Sequence, residues 1–328
     1  MPVRMGFQFY PVMFSTKLWS AAIVLQFPQR VSERRQYVYH YTTGEGLKGI
    51  VESKSLWATG AYYLNDTSEI EYGCRLAARV LEESFAAAET AFAGAVLREA
   101  HTILSDPAQR EVRTTTLYVA CFCEGDNLLS QWRTYSRSGG FALGFRVADL
   151  ERLQPEPTTV SLRKVLYAKE DQIKLVRDLI GAAITVLRDD DVVRGPNNWV
   201  SISGSIEAGG EVARMLLSAI TCFKAPDFAE EHEWRLVCQP FHADESERIE
   251  AVRQIARFRA SSRGLVPYIQ LTYPPMHPSA GTLPIDSVRF GPTQAPDLAK
   301  CVTRMLLDAN GLRSAKVDGS EISVMLDG

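Results

Sequence analysis

The sequence predicts an α+β fold with a largely antiparallel sheet and helices inserted between strands. Three observations carry this prediction. Short β-prone runs, alternating or continuously apolar, recur from Tyr37 to Phe290. These runs are not separated by regular helices, which argues against a doubly wound parallel sheet. The amphipathic helical patterns fall in blocks instead, one before the central strand and one in the middle of the chain.

Tyr37–Tyr41 alternates aromatic and polar residues and reads as the first strand. Thr43 can cap a helix whose Leu47, Ile50 and Val51 share one face. Leu56–Thr59 reads as a short strand. Asp66 and Glu69 have capping-box spacing before a long helix with Ile70, Leu76, Ala77, Val80, Leu81 and Phe85 on its buried stripe. Ala86–Leu104 continues in helix and breaks at Asp106-Pro107. Leu117–Cys123 is an apolar run of central-strand type. A helical turn over Leu128–Tyr135 and a strand over Gly140–Val147 follow, with glycines where another backbone or a ligand can approach. Val160–Tyr167 is strand-like. Helices over Lys169–Leu187 and Ile206–Phe223 flank a polar loop at residues 194–198. Strands recur at Glu233–Gln239, Leu265–Leu271 and Ile285–Phe290. A helix over Pro296–Asn310 precedes a last strand, Ile322–Leu326.

Composition is that of an ordinary soluble domain: 328 residues, 46% hydrophobic, 23% charged, net charge −3. Such a balance gives no reason to expect a surface that coats nucleic acid, although a local basic groove is compatible with it. The six cysteines are scattered without C-x-x-C pairs and read as reduced core thiols of a cytoplasmic protein. The five histidines have no metal-ligand spacing, so no metal is expected. Dinucleotide-fold, P-loop, zincin and α/β-hydrolase signatures are missing. Leu18–Phe27 is apolar but shorter than the ~20 residues that span a bilayer, and no cleavage site follows it. Residues 1–36 are therefore expected to be a dispensable extension, and residues 37–328 a single domain with no membrane contact.

Three polar clusters stand out at strand edges. His40 can donate one hydrogen bond and accept another, with Thr42 on the same strand face. The alternative is a strand histidine with satisfied bonds. Tyr63 and Asn65 precede the helix that Asp66 opens, whose first N–H groups can help hold an anion, or the stretch is only a helix start. Ser130, Gln131, Trp132 and Arg133 sit in four consecutive positions, with Tyr135 just beyond. Trp132 or Tyr135 can stack on a flat heterocycle, and Arg133 suits a phosphate or carboxylate. Otherwise Trp132 is a packing anchor. Glu233 and Arg235 share one strand face with Trp234 on the other. A carboxylate held there can bind ribose hydroxyls and stabilise a developing oxocarbenium ion, or the pair is a surface ion pair.

At VYHYTTGEGLKGIVESKSLWAT, YYLNDTSEIEYG, CFCEGDNLLSQWRTYSRSGGFALGF, EEHEWRLV and the later Phe290-Gly291-Pro292, the chain resembles the bacterial domain-of-unknown-function family 2971. Its opening is also similar to ADP-ribosyltransferase-type domains. That resemblance implies a split sheet with NAD, as substrate, bound in the cleft. It implies His40 as the NAD-binding histidine, Thr42 as its neighbour, one of Trp132, Tyr135 or Tyr63 stacked on nicotinamide, and Glu233 as the catalytic glutamate. It further implies an ADP-ribosyltransferase or NAD glycohydrolase with a nucleic-acid or protein acceptor, of the kind used as toxins or in phage defence. The rival expectations are a non-catalytic nucleotide-binding module and a nuclease-like or interaction protein using Asp66, Glu231 and Glu233.

Overall fold

The computed structural model describes residues 17–20, 37–64, 68–135, 139–153, 158–189, 202–240, 245–261 and 264–322. β1 (Tyr37–Thr43) ends where the Thr43 hydroxyl accepts from the Gly46 N–H at 3.2 Å. That contact caps α1 (Gly44–Ser53), which buries Leu47, Ile50 and Val51. A left-handed Lys54 then turns the chain into β2 (Leu56–Gly60).

The helical block comprises α2 (Ser68–Ser84), α3 (Ala91–Ser105) and α4 (Pro107–Thr114). Asp106 divides the last two by accepting from the Ala108 N–H at 3.0 Å, with Pro107 in the first turn where it needs no donor. β3 (Tyr118–Cys123), α5 (Leu129–Tyr135), β4 (Gly140–Arg146) and β5 (Thr158–Lys164) follow. α6 (Lys169–Asp189) and α7 (Ile202–Ile220) lead through a 3-10 segment, Pro226–Glu231, into β6 (Glu233–Pro240). The chain continues through α8 (Glu245–Ile255), β7 (Arg257–Ser261), β8 (Gly264–Leu271), β9 (Ile285–Phe290), α9 (Pro296–Ala309) and β10 (Lys316–Gly319).

The ten strands form one open sheet in which β9 and β10 pair parallel and the other named strands pair antiparallel. Alternation along β3 feeds two cores. Val119 faces the layer of α2, α3, α6 and α7 and belongs to one core with Leu81, Val96, Leu97, Ile180 and Ile220. Tyr118, Ala120 and Phe122 face the other core, with Ile50, Phe145, Trp234, Leu236 and Ile269. On β4, a Cβ at Gly144 would lie 2.3 Å from the Ser287 hydroxyl and 3.0 Å from the Tyr39 ring. The predicted close approach at a strand glycine is therefore made by neighbouring strands.

One feature of the topology positions the site. β6 pairs with all six residues of β3, occupying one edge completely. The other edge is shared. β2 takes its start, at Tyr118 and Val119, and β1 takes only its end, at Cys123. Cys121 lies between these two partners. The one open sheet forks there at β3, with one wing running β1-β4-β9-β10 and the other β2-β8-β7.

One reading of the sequence needs revision. The last strand is Lys316–Gly319 rather than Ile322–Leu326: Ile322 lies in no strand, and residues 323–326 lie outside the described residues. Residues 17–20 form a helical turn that places Leu18 and Trp19 in the helical core. Trp19 donates to Glu211 at 3.3 Å, and the Arg214 guanidinium lies 4.4 Å from its ring centroid. This part of the extension is packed on the helical core. Among the described residues, no helix is long and apolar enough to cross a membrane.

Candidate functional site

The fork opens a cleft of about 420 Å³, within the range of small-molecule sites. Tyr39, His40 and Thr42 come to it from β1, Trp57 and Thr59 from β2, Cys121 from β3, and Glu233 and Arg235 from β6. Pairing of Tyr39 with Cys123, and of Cys123 with Glu233, puts those three on one face of the sheet. His40 and Thr42 belong to the opposite face by alternation. They reach the same cleft because the sheet is open beside Cys121.

His40 fills that opening. Its Nδ1 lies 2.8 Å from the Cys121 carbonyl oxygen. A carbonyl only accepts, so Nδ1 carries the proton and Nε2 of the neutral ring is left as an acceptor. Burial pushes the imidazole below its ordinary pKa, against the pull of the Cys121 hydrogen bond, and the Arg259 charge adds to the fall. The ring is neutral at pH 7.

The floor is a buried ion-pair network. Arg235 donates from Nε to Glu233 Oε1 and from Nη2 to Glu233 Oε2, both at 2.9 Å. Its Nη2 also reaches Glu69 at 2.7 Å, and its Nη1 the Thr221 carbonyl at 2.7 Å. Lys224 lies 3.2 Å from Glu69, 2.5 Å from Glu231 and 3.3 Å from Glu233. Burial alone would raise the Glu233 pKa, but Arg235 first and Lys224 next outweigh it, and the carboxyl sits below its usual range. Burial opposes the charge on Lys224, yet the surrounding carboxylates, Glu233 foremost, raise its pKa. Burial, with Glu233 beside it, drives the Cys121 thiol well up, so it stays protonated.

His232 stands between the two carboxylates, Glu231 and Glu233, that meet Lys224. It adopts φ +44, the left-handed region, and ends the 3-10 segment with its N–H on the Ala229 carbonyl at 3.2 Å. A β-branched residue fits that conformation poorly. His232→Val is expected to destabilise the fold by roughly 1–3 kcal/mol, with His232→Gly tolerated; equal melting temperatures for the two variants would remove the backbone argument.

The predicted site residues divide. His40, Thr42, Tyr63, Gln131, Glu233 and Arg235 line the cleft. Trp132 does not. It is 1% exposed, donates to Asn127 at 2.8 Å and packs edge-on against Tyr41, so it anchors α5 and offers no face to a ligand. Ser130 and Arg133 are exposed and outside the cleft lining. Tyr135 ends α5, with its side chain outside the described residues, as Asn65 and Asp66 are entirely. Glu69 supplies its carboxylate to Arg235 and Lys224, a role its capping-box position hid.

Residues 131–236 match the family model described as "Protein of unknown function (DUF2971)". The match covers less than half of the chain, a shorter span than the resemblance at residues 37–292. It contains Gln131, Lys224, Glu231, Glu233 and Arg235 and leaves out the β1 wall with His40 and Thr42. No curated protein and no solved structure matches the chain. The comparisons lend no support to the likeness to ADP-ribosyltransferase-type domains.

Sequence reasoning missed Lys224, Trp57, Thr59 and Arg259 as cleft residues. Lys224 sits in an unremarkable CFKAP stretch, and nothing local marks it. Trp57 and Thr59 carried a signal: they are the outward set of a strand whose Leu56 and Ala58 are buried. Among the described residues, no group of three or more His, Cys, Asp or Glu side chains is placed to hold a metal ion.

Proposed function

We propose that this chain cleaves NAD at the nicotinamide–ribose bond and transfers ADP-ribose to a nucleic-acid or protein acceptor, or to water. The observation that carries the reading is the fork beside Cys121, which joins His40 and Thr42 to Glu233 and Arg235 across a long stretch of sequence. In the reaction the bond between ribose C1′ and the nicotinamide nitrogen breaks, and its electron pair leaves with the ring. Positive charge builds on the sugar until the acceptor bonds to C1′ and gives up a proton.

The cleft suits that charge. Three carboxylates, Glu69, Glu231 and Glu233, face two cations, Lys224 and Arg235, so the network carries excess negative charge in a fixed geometry. Both Glu233 oxygens are held, which suits a stabilising field rather than proton transfer. Glu231 is the most exposed of the three at 27% of its side chain, and is the group available to take the acceptor's proton. Nε2 of His40 can accept from a ribose hydroxyl or the nicotinamide amide. A toxin or phage-defence role for such an activity follows from the resemblance alone.

A second reading keeps the cleft as a non-catalytic nucleotide-binding module. The observation favouring it is that Glu233 already has its hydrogen bonds satisfied within the protein. Nicotinamide release from NAD, with and without cellular nucleic acid, separates the two; tight binding without release under any condition would leave the module.

A pH profile tests His40. Its pKa is lowered in the fold, so the neutral acceptor persists below the usual value of about 6.5. NAD affinity should stay level from pH 8 to about 6.5 and weaken only as pH falls through the lower folded value. His40→Ala should lose affinity where the wild-type ring is neutral, converge on the wild type below the folded value, and so flatten the profile. An unchanged profile in that variant would remove His40 from the ligand.

A further inference from the structure

We propose that Arg259 holds a phosphate group of the ligand at the mouth of the cleft, so that the site takes a phosphorylated nucleoside. The proposal extends the NAD reading by fixing which end of the ligand lies where, and the phosphate contact stands on its own observations.

Among the described residues the cleft has three cations, and they are not equivalent. Lys224 and Arg235 are tied to carboxylates on the floor. Arg259, from the edge strand β7, lines the cleft from the other wing and donates from Nη2 to the Thr59 hydroxyl at 3.1 Å. Among the described residues it makes no ion pair. Its neighbour Arg257 turns back on the chain, donating to the Ala256 carbonyl at 3.0 Å. Arg259 is therefore the cleft cation with guanidinium donors left for a ligand, and its charge is felt at His40.

The Thr59 hydroxyl accepts from Arg259 and still has its own proton to give. The two together offer a planar cation and a neutral donor, a pair suited to phosphate oxygens. Register supports the placement. Thr59 pairs with Val119 and Tyr268, and Arg259 pairs with Val266, so Thr59 and Arg259 lie on the face that carries Glu233. Trp57 stacks on Tyr268 beside them, with centroids 4.6 Å apart, and stiffens that wall. The cleft is then polar end to end: anion-binding at the β2-β8-β7 wing and cation-stabilising at the floor. A ligand with phosphate at one end and a developing positive charge at the other lies along it in one direction.

The test uses the full chain and isothermal titration with NAD, ADP-ribose, pyrophosphate, adenosine and nicotinamide riboside. Arg259→Ala changes an exposed side chain on an edge strand and should leave the melting temperature in place. It should weaken NAD, ADP-ribose and pyrophosphate by roughly tenfold to a hundredfold, as expected for a lost charge-assisted hydrogen bond, and leave the two nucleosides unchanged. Arg259→Lys should recover part of the loss. Added salt should weaken the wild type more than Arg259→Ala. Unchanged affinity for the phosphorylated probes, or an equal loss for the nucleosides, overturns the proposal. If that happens while His40→Ala still weakens NAD, the NAD reading survives without it. Arg259-dependent binding of pyrophosphate and ADP-ribose without nicotinamide release supports the phosphate site and counts against the transferase. Wild-type protein that binds none of the five probes overturns both.

Discussion

Glu233→Gln is expected to cut nicotinamide release by about a hundredfold, the scale for losing one preorganised electrostatic partner, and to destabilise the fold as well. The two effects share a cause. Arg235 is 2% exposed and directs Nε and Nη2 at the two Glu233 oxygens. Glutamine offers one acceptor, and its amide N–H would face a guanidinium donor. Breaking one partner of a buried ion pair costs about 3–5 kcal/mol, and Glu69 remains as a partial substitute. NAD affinity should change less than turnover, because the oxocarbenium charge exists only near the transition state. The pH dependence has a definite sign. The Glu233 pKa is lowered in the fold, so its contribution is complete above the unfolded value of about 4.3 and disappears as pH falls through the folded value. Wild type and Glu233→Gln should therefore differ most near neutral pH and converge in acid. Denaturant melts at pH 7 and below pH 4, with a nicotinamide-release assay, measure all three. A variant with wild-type melting and turnover would mean the network is neither structural nor catalytic.

Deleting residues 1–34 is expected to lower the melting temperature by on the order of 5 °C, taking about 3–5 kcal/mol for a buried tryptophan and the entropy of unfolding of a chain this size. Leu18 is fully buried and Trp19 nearly so. Removing them uncovers apolar surface of the helical layer and takes the indole donor from Glu211, itself paired with Arg214 and Arg248. Trp19→Ala in the full chain should reproduce most of the loss. A truncated chain that melts with the full one would bear out the expectation that this segment is dispensable.

Local features of the fold were legible wherever the chain signals to itself. The Thr43 cap, the Asp106-Pro107 break and the alternation that sets Glu233 and Arg235 opposite Trp234 are all read from neighbours a few positions apart. Pairing partners were not. That β3 gives one edge to two different strands depends on contacts between distant segments, and no periodicity encodes them. The same limit hid Lys224, which meets its carboxylates only when α7 and β6 are assembled. Trp132 is the opposite case, where the packing alternative holds. Its composition-rich SQWR setting suggested chemistry, and the fold uses the indole for packing. The strand Arg257–Ser261 has no buried side to create an alternating pattern, since all five residues are exposed.

The shared edge of β3 also sets an order of synthesis. The floor residues Glu69, Lys224, Glu231, Glu233 and Arg235 are all translated before Arg259, and β2 must wait for β8, whose Leu271 pairs with Leu56. Non-local pairing of this kind forms late. A nascent chain, or one ended by a premature stop before residue 264, carries the acidic floor and the histidine but lacks β8, the strand that joins β7 to β2. Partial translation products that stop short of β8 should therefore be without a closed cleft, and whatever chemistry this chain performs should begin only once β8 has been made.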